Sequence, residues 1–230
     1  MAEEQTPKPE TETSTPSSEN RWLALWRRLQ QNRIVSYAGI GLVVVVVGWL
    51  AYRQYLASQN EECLREMRFA EAFFRQDSFE KAIKGTATAM GFEQLVEEYG
   101  RTEAGNLCRL YLGIAYLKTG KFEEARAALE AYDVPGSYMG GVATAALAGA
   151  YAELQEYKKA AKLYEKAATI HNNSQTSPVF LLQAGLSYEL AQEWEKAAAV
   201  YREILKKYPL AGEASTAQKH LSRVETAHAH

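Results

Sequence analysis

Three stretches of this chain carry the same residues in the same order, and the interval between them limits what the chain can fold into. The first is Leu112-Gly113-x2-Tyr116, Gly120 and Phe122-x2-Ala125-x3-Leu129. The second is Leu147-Ala148-x2-Tyr151 with Tyr157-x2-Ala160-x3-Tyr164, and the third is Ala184-Gly185-x2-Tyr188, Trp194-x2-Ala197-x3-Tyr201 and Pro209. The tyrosines are spaced by 35 and 37 residues, and so are the alanines. A period of this length belongs to a supersecondary unit that cannot bury its apolar face alone and must stack on its neighbours.

The repeated residues resemble the tetratricopeptide repeat, in which a small residue marks the crossing of two helices, aromatic knobs surround it and Pro closes the unit. Ala125, Ala160 and Ala197 take the crossing role, because a larger side chain would push the helices of a hairpin apart. The expected fold is all-α: a single N-terminal transmembrane helix, then a short solenoid of about four helical hairpins with a capping helix. Three repeats are expected at 106–139, 141–174 and 178–211. Residues 213–226 carry Ala214, Ala217, Leu221 and Val224 at helical spacing, as a capping helix requires.

A degenerate unit, 55–105, precedes these three within a domain covering 54–227. Phe92-x2-Leu95-Val96-x2-Tyr99-Gly100 copies Tyr201-x2-Ile204-Leu205-x2-Tyr208-Pro209, three periods later. Its first helix is expected to continue from the membrane anchor, from about Tyr55 to Arg75, with Phe69, Phe73 and Phe74 as its packing face.

Ile34 to Tyr52 is 19 residues without a charge. As a helix it would span roughly 28 Å, close to the hydrocarbon thickness of a bilayer. The run exceeds the apolar core of a signal peptide and no A-x-A site follows closely, so a permanent anchor is expected, with Trp49, Tyr52 and Tyr55 at the far interface. Arg21, Arg27, Arg28 and Arg33 precede it and Arg53 alone follows closely, which puts the N-terminus in the cytoplasm and the large domain across the membrane. Residues 1–20 are dominated by Thr, Pro, Ser and Glu and are expected to be a disordered tail. Residues 21–33 read either as a short amphipathic helix on Trp22, Leu25, Trp26 and Leu29, or as a Trp- and Arg-rich membrane flank.

The chain carries 26 Lys and Arg against 28 Asp and Glu, so it has no electrostatic footprint for nucleic acid. No nucleophile with a base, metal cluster or phosphate cradle is evident, and neither an enzyme, a cofactor nor a metal is expected. Gly113 to Lys121 looks like a phosphate loop only superficially: the glycine spacing is wrong and Phe122 stands where Ser or Thr is needed. His171 and His220 read as solvated surface residues, and His228 and His230 as a frayed end. Glu97-Glu98 and Glu123-Glu124 read as solvated helix faces. Cys63 and Cys108 are either a disulfide or two small buried residues; spacing does not decide between them.

Carrying the repeat frame across gives the positions expected to line the concave surface: Leu107, Leu110, Ile114 and Leu117, then Val142, Ala145, Gly149 and Ala152, then Val179, Leu182, Leu186 and Glu189. Only Glu189 is charged, which argues against clamping a peptide carboxylate and suits an amphipathic helix or extended apolar segment of a protein partner. The alternative is a groove closed by the domain's own capping helix.

The architecture is similar to the YfgM-like family, ancillary subunits of the Sec translocon in the bacterial envelope. The likeness is closest at AGNLCRLYLGIAYLKTGKFEEA, 104–125, and SPVFLLQAGLSYEL, 177–190. It implies an inner-membrane protein with a periplasmic domain that associates with the translocon and a periplasmic chaperone. A scaffold for cell division or for another secretion assembly would use the same domain.

Overall fold

The computed structural model describes residues 33–133 and 138–227. The tail expected at 1–20, nearly all of the segment expected at 21–33, and His228 and His230 lie outside the described residues. Two compact units divide between Tyr55 and Leu56. Helix α1, Arg33–Arg75, contributes residues to both.

In the first unit, α1 from Tyr37 to Tyr55 exposes its side chains, including Val43 to Val47 and Leu50. It is long and apolar enough to cross a membrane. The β-branched valines favour strands in water, but a helix pairs its own backbone groups and is the form that lipid admits. Near the end of this stretch the Arg53 guanidinium lies 5.7 Å over the Trp49 ring.

The second unit is built of antiparallel helical hairpins stacked in chain order. Helices α4 (Glu103–Lys118) and α5 (Phe122–Glu130) form one, α6 (Tyr138–Glu153) and α7 (Tyr157–His171) the next, and α8 (Ser177–Leu190) and α9 (Trp194–Lys207) the third. Helix α10, Glu213–Ala227, packs on α9 and α8. Ala125, Ala160 and Ala197 are each fully buried at the crossings. Gly113 and Gly185 let the helices approach further: a Cβ at either would strike the side chain of Leu129 or Tyr201.

Each hairpin turns the same way. Gly120, Gln155 and Gln192 adopt left-handed backbone at φ of 76°, 61° and 59°. The next amide reaches back to the last turn of the helix: Lys121 N–H to the Tyr116 carbonyl at 2.9 Å, Glu156 to Tyr151 at 2.8 Å, and Glu193 to Tyr188 at 2.9 Å. The left-handed residue closes the inner bond of a Schellman cap, as with Gln192 N–H to the Glu189 carbonyl at 2.9 Å.

A fourth turn of this kind lies at Asp77, φ 55°, with Ser78 N–H on the Phe73 carbonyl at 2.9 Å. The C-terminal part of α1 is therefore the first helix of the degenerate unit, and α2, Phe79–Lys84, begins its second. Phe79-x2-Ala82 repeats Phe122-x2-Ala125, and Ala82 is fully buried like the other three alanines. The second helix then breaks. Strands β1 (Gly85–Thr86) and β2 (Ala89–Met90) pair antiparallel, Gly85 opposite Met90 and Thr86 opposite Ala89. The helix resumes as α3, Phe92–Tyr99. The interval from Ala82 to Phe92 exceeds that from Ala197 to Tyr201 by six residues, the length of Gly85–Met90. The small hairpin is an insertion that leaves Phe92 in the place of Tyr201.

Packing of the N-terminal core follows Cys63, Met67, Ala70 and Phe74 on α1, at spacings of four, three and four. Phe74 meets Phe79 and Tyr111 edge-on at 5.3 Å, and Phe92 stacks on Tyr111 at 5.3 Å. Phe73 packs there too, but Phe69 does not: it falls off this stripe and is 54% exposed. A central cluster joins Leu110, Leu129 and Ala143, and a C-terminal one joins α7 to α10 through Leu181, Tyr188, Tyr201, Ile204 and Leu221.

Helix starts also reflect local chemistry. Thr102 caps α4 by accepting from Gly105 N–H at 3.0 Å, so that helix begins at Glu103 and not at 106. Ser177 is fully buried and donates to the Ala168 carbonyl at 3.0 Å, fastening the start of α8 to the end of α7.

Candidate partner-binding surface

The twelve positions selected from the repeat frame fall on α4, α6 and α8, the first helices of the three hairpins. They do not form one open groove. On α4, Leu110 is 3% exposed and packs on Leu129 and Ala143, with Leu107, Ile114 and Leu117 against the same cluster. This stripe is turned toward α6 of the next hairpin, which covers Leu110. Leu110 is a core residue and not a groove residue.

On α6, Val142, Ala145, Gly149 and Ala152 are half-buried. From Tyr138 to Ala152 this helix has no charged side chain, although Tyr138 is 64% and Met139 44% exposed. On α8, Val179 is exposed, Leu186 half-buried, and Leu182 packs on the C-terminal core.

Glu189, the one charge in the set, is held by the capping helix. Its Oε1 accepts from Tyr201 Oη at 2.6 Å and meets His220 Nδ1 at 2.8 Å, while Oε2 takes the Arg223 guanidinium. Burial alone would raise its carboxyl, but hydrogen bonds from Tyr201, His220 and Arg223 outweigh that and hold it below the ordinary carboxylate range. The Tyr201 phenol is pushed up, by burial first and then by Glu189. The capping helix thus closes the C-terminal end of the surface. His220 is not a solvated surface histidine: it is half-buried, with its ring 5.6 Å from that of Tyr201.

A hollow of about 360 Å³ between α5, α6 and α7 is lined by none of the twelve positions. Its apolar floor and walls include Ala143, Leu147, Leu129, Leu163 and Ile170. The repeat frame passes over it because α6 is uncharged on this face as well, so periodicity does not single the face out. Among the described residues no group of three or more His, Cys, Asp or Glu is placed to hold a metal ion. Gly113 and Gly120 serve the hairpin, and Lys121 Nζ pairs with Glu80 at 3.0 Å.

Residues 26–178 match the tetratricopeptide repeat-like domain, and 180–211 match the tetratricopeptide repeat. The chain belongs to the tetratricopeptide repeat-like domain family. The match covers most of the chain and takes in α1 as well as the hairpins. Two solved structures of the nearly identical TPR-like repeats of a Podosopora anserina kinesin light chain, one of them a point variant, are similar in fold. Each has 16% identity and a TM-score of 0.58 over 74% of this chain and 88% of that one. No curated protein matches the sequence. Tetratricopeptide arrays bind protein partners and are typically scaffolds, and no catalytic family is indicated.

Proposed function

We propose that this tetratricopeptide protein is a membrane-anchored adaptor, and not an enzyme, whose repeat domain works in the bacterial envelope beside the Sec translocon and a periplasmic chaperone. The topology rests on the arginines before Ile34 and the single Arg53 close after the apolar stretch. The observation that carries the adaptor reading is α6: fifteen successive residues, Tyr138 to Ala152, without a charge on a helix that remains partly open to solvent. A soluble domain does not need such a face, whereas a partner's apolar helix or extended segment does.

Within the twelve positions, Val142, Ala145, Gly149, Ala152, Val179 and Leu186 are those where a partner would meet surface that belongs to none of the three core clusters. Photo-cross-linking from Val142 and Val179 in intact cells, followed by identification of the adducts, tests the reading. Translocon subunits or an envelope chaperone should dominate the adducts. Adducts dominated by division or other secretion components would replace this reading with the alternative scaffold. Protease added to spheroplasts should digest the domain, and full protection would overturn the orientation.

A further inference from the structure

Cys63 on α1 and Cys108 on α4 are both fully buried free thiols, and their sulfurs lie 4.0 Å apart. The two helices are held in register there. Asn60 Oδ1 accepts the Ala104 N–H at 2.8 Å. Asn60 is three residues before Cys63 and Ala104 four before Cys108, so each pair shares one helix face and the hydrogen bond aims the two thiols at each other. Met67, Ala70 and Leu112 complete the apolar surroundings.

We propose that Cys63 and Cys108 are a redox-active pair that closes to a disulfide, covalently fastening α1 to the first complete hairpin. Contact-distance sulfurs on facing helices need to close by only about 2 Å to reach bonding length, which side-chain rotation with a small helix shift supplies. The oxidant is a disulfide-bearing molecule such as oxidised glutathione or a dithiol–disulfide oxidoreductase. One thiol loses its proton and attacks the oxidant's disulfide, whose S–S bond breaks and whose second sulfur leaves as a thiolate. The other thiol, deprotonated in turn, attacks the mixed disulfide and expels the remaining thiolate. Two electrons and two protons pass to the oxidant, which ends as two thiols. Since both sulfurs are shielded in the finished fold, exchange occurs while α4 is still closing onto α1, or when that contact opens.

The test uses the purified full chain in detergent, unfolded in urea with reductant, then refolded in oxidised or in reduced glutathione and alkylated. Refolding with oxidised glutathione should give a product lighter by the mass of two hydrogens, resistant to alkylation. Its non-reduced digest should join the peptide holding Cys63 to that holding Cys108. Reduced glutathione should leave both sites open to alkylation after unfolding. Cys63→Ala and Cys108→Ala, each checked for helical circular dichroism, should leave the remaining thiol alkylated or glutathione-capped with no internal bridge. Complete alkylation of both cysteines after oxidative refolding would overturn the proposal, and so would stable glutathione adducts on both.

Discussion

Tyr188 Oη on α8 donates to Glu165 Oε2 on α7 at 2.7 Å, joining the third hairpin to the second. The same bond recurs one repeat earlier, from Tyr151 to Glu130 at 2.5 Å, and again from Tyr116 to Glu93 at 2.6 Å. Each glutamate directly follows a knob residue, Phe92, Leu129 or Tyr164. A lysine covers each tyrosine ring: Lys121 over Tyr116 at 5.9 Å, Lys159 over Tyr151 at 5.0 Å and Lys196 over Tyr188 at 5.8 Å. After the last knob, Tyr201, the glutamate is replaced by Arg202, which pairs with Glu225 of the capping helix at 2.5 Å. The ladder ends where the array ends.

Removing one rung should loosen one junction. Tyr188→Phe keeps the buried ring but deprives Glu165 of its donor, and because that carboxylate is only half-buried and regains water, the loss should be about 1 to 2 kcal/mol. The ladder also sets an alkaline limit. Burial and the adjacent glutamates raise the Tyr116 and Tyr188 phenols above their ordinary value near 10. Burial likewise pushes Tyr99 up to about 12. A group whose folded value is raised contributes stability fully present below its unfolded value and lost as pH rises through the folded one. Denaturation midpoints should therefore fall from about pH 10 upward, less steeply in Tyr188→Phe. A flat profile to about pH 12 would contradict this assignment.

The hairpin turns offer a stabilising change. Gln155 and Gln192 hold left-handed backbone that Gly120 adopts at no cost of a Cβ. Gln192→Gly should raise stability by about 0.5 to 1 kcal/mol in chemical denaturation, net of the added freedom of the unfolded chain. Gly120→Gln should lower it by a similar amount. Destabilisation by Gln192→Gly would mean that its side chain, not its backbone, serves the turn.

Much of this fold is legible in the sequence because the repeat residues are those that physical contact fixes. Ala125, Ala160 and Ala197 sit where helices cross, and the three tyrosines sit where hairpins join. The degenerate unit is legible only in halves. Phe79-x2-Ala82 starts it and Phe92 finishes it, but the inserted Gly85–Met90 hairpin moves the knob, so a search at constant spacing misses the connection. The surface is less legible than the fold. Periodicity says which side of α4 Leu110 is on, but not that α6 covers that side. Nor does the lone charge of Glu189 announce partners on a helix 31 and 34 residues further along the chain.

The capping helix should respond to acid through Glu189. Its folded value is depressed, so its contribution is present above the unfolded carboxylate value, about 4.3, and is lost as pH falls through the folded one. Glu189→Gln removes the charge that holds Arg223, which is itself 62% exposed, and weakens the bonds from Tyr201 and His220. The expected loss is about 1 kcal/mol, with faster amide hydrogen exchange confined to α10 and the end of α8. Unchanged exchange in α10 would show that Leu221 and Val224 hold the helix without help from the carboxylate.

A pair of charge substitutions separates core from surface. Leu110→Glu places a carboxylate at a position only 3% exposed, among Leu129, Ala143 and Leu107, which offer it no cation. The chain must then bury a charge, protonate it or open the junction between the first two complete hairpins, at a cost of about 3 kcal/mol or more. Val179→Glu makes the same chemical change on α8 where the side chain is 37% exposed, and should shift stability by no more than about 0.5 kcal/mol. If α6 and the start of α8 receive a partner's apolar segment, Val179→Glu should nonetheless reduce co-purification of that partner at least tenfold, the effect of about 1.4 kcal/mol. Loss of helical circular dichroism in Val179→Glu would make this residue part of the core. Full co-purification with the fold intact would move the docking site elsewhere, with the apolar stretch of α1 the next surface to probe.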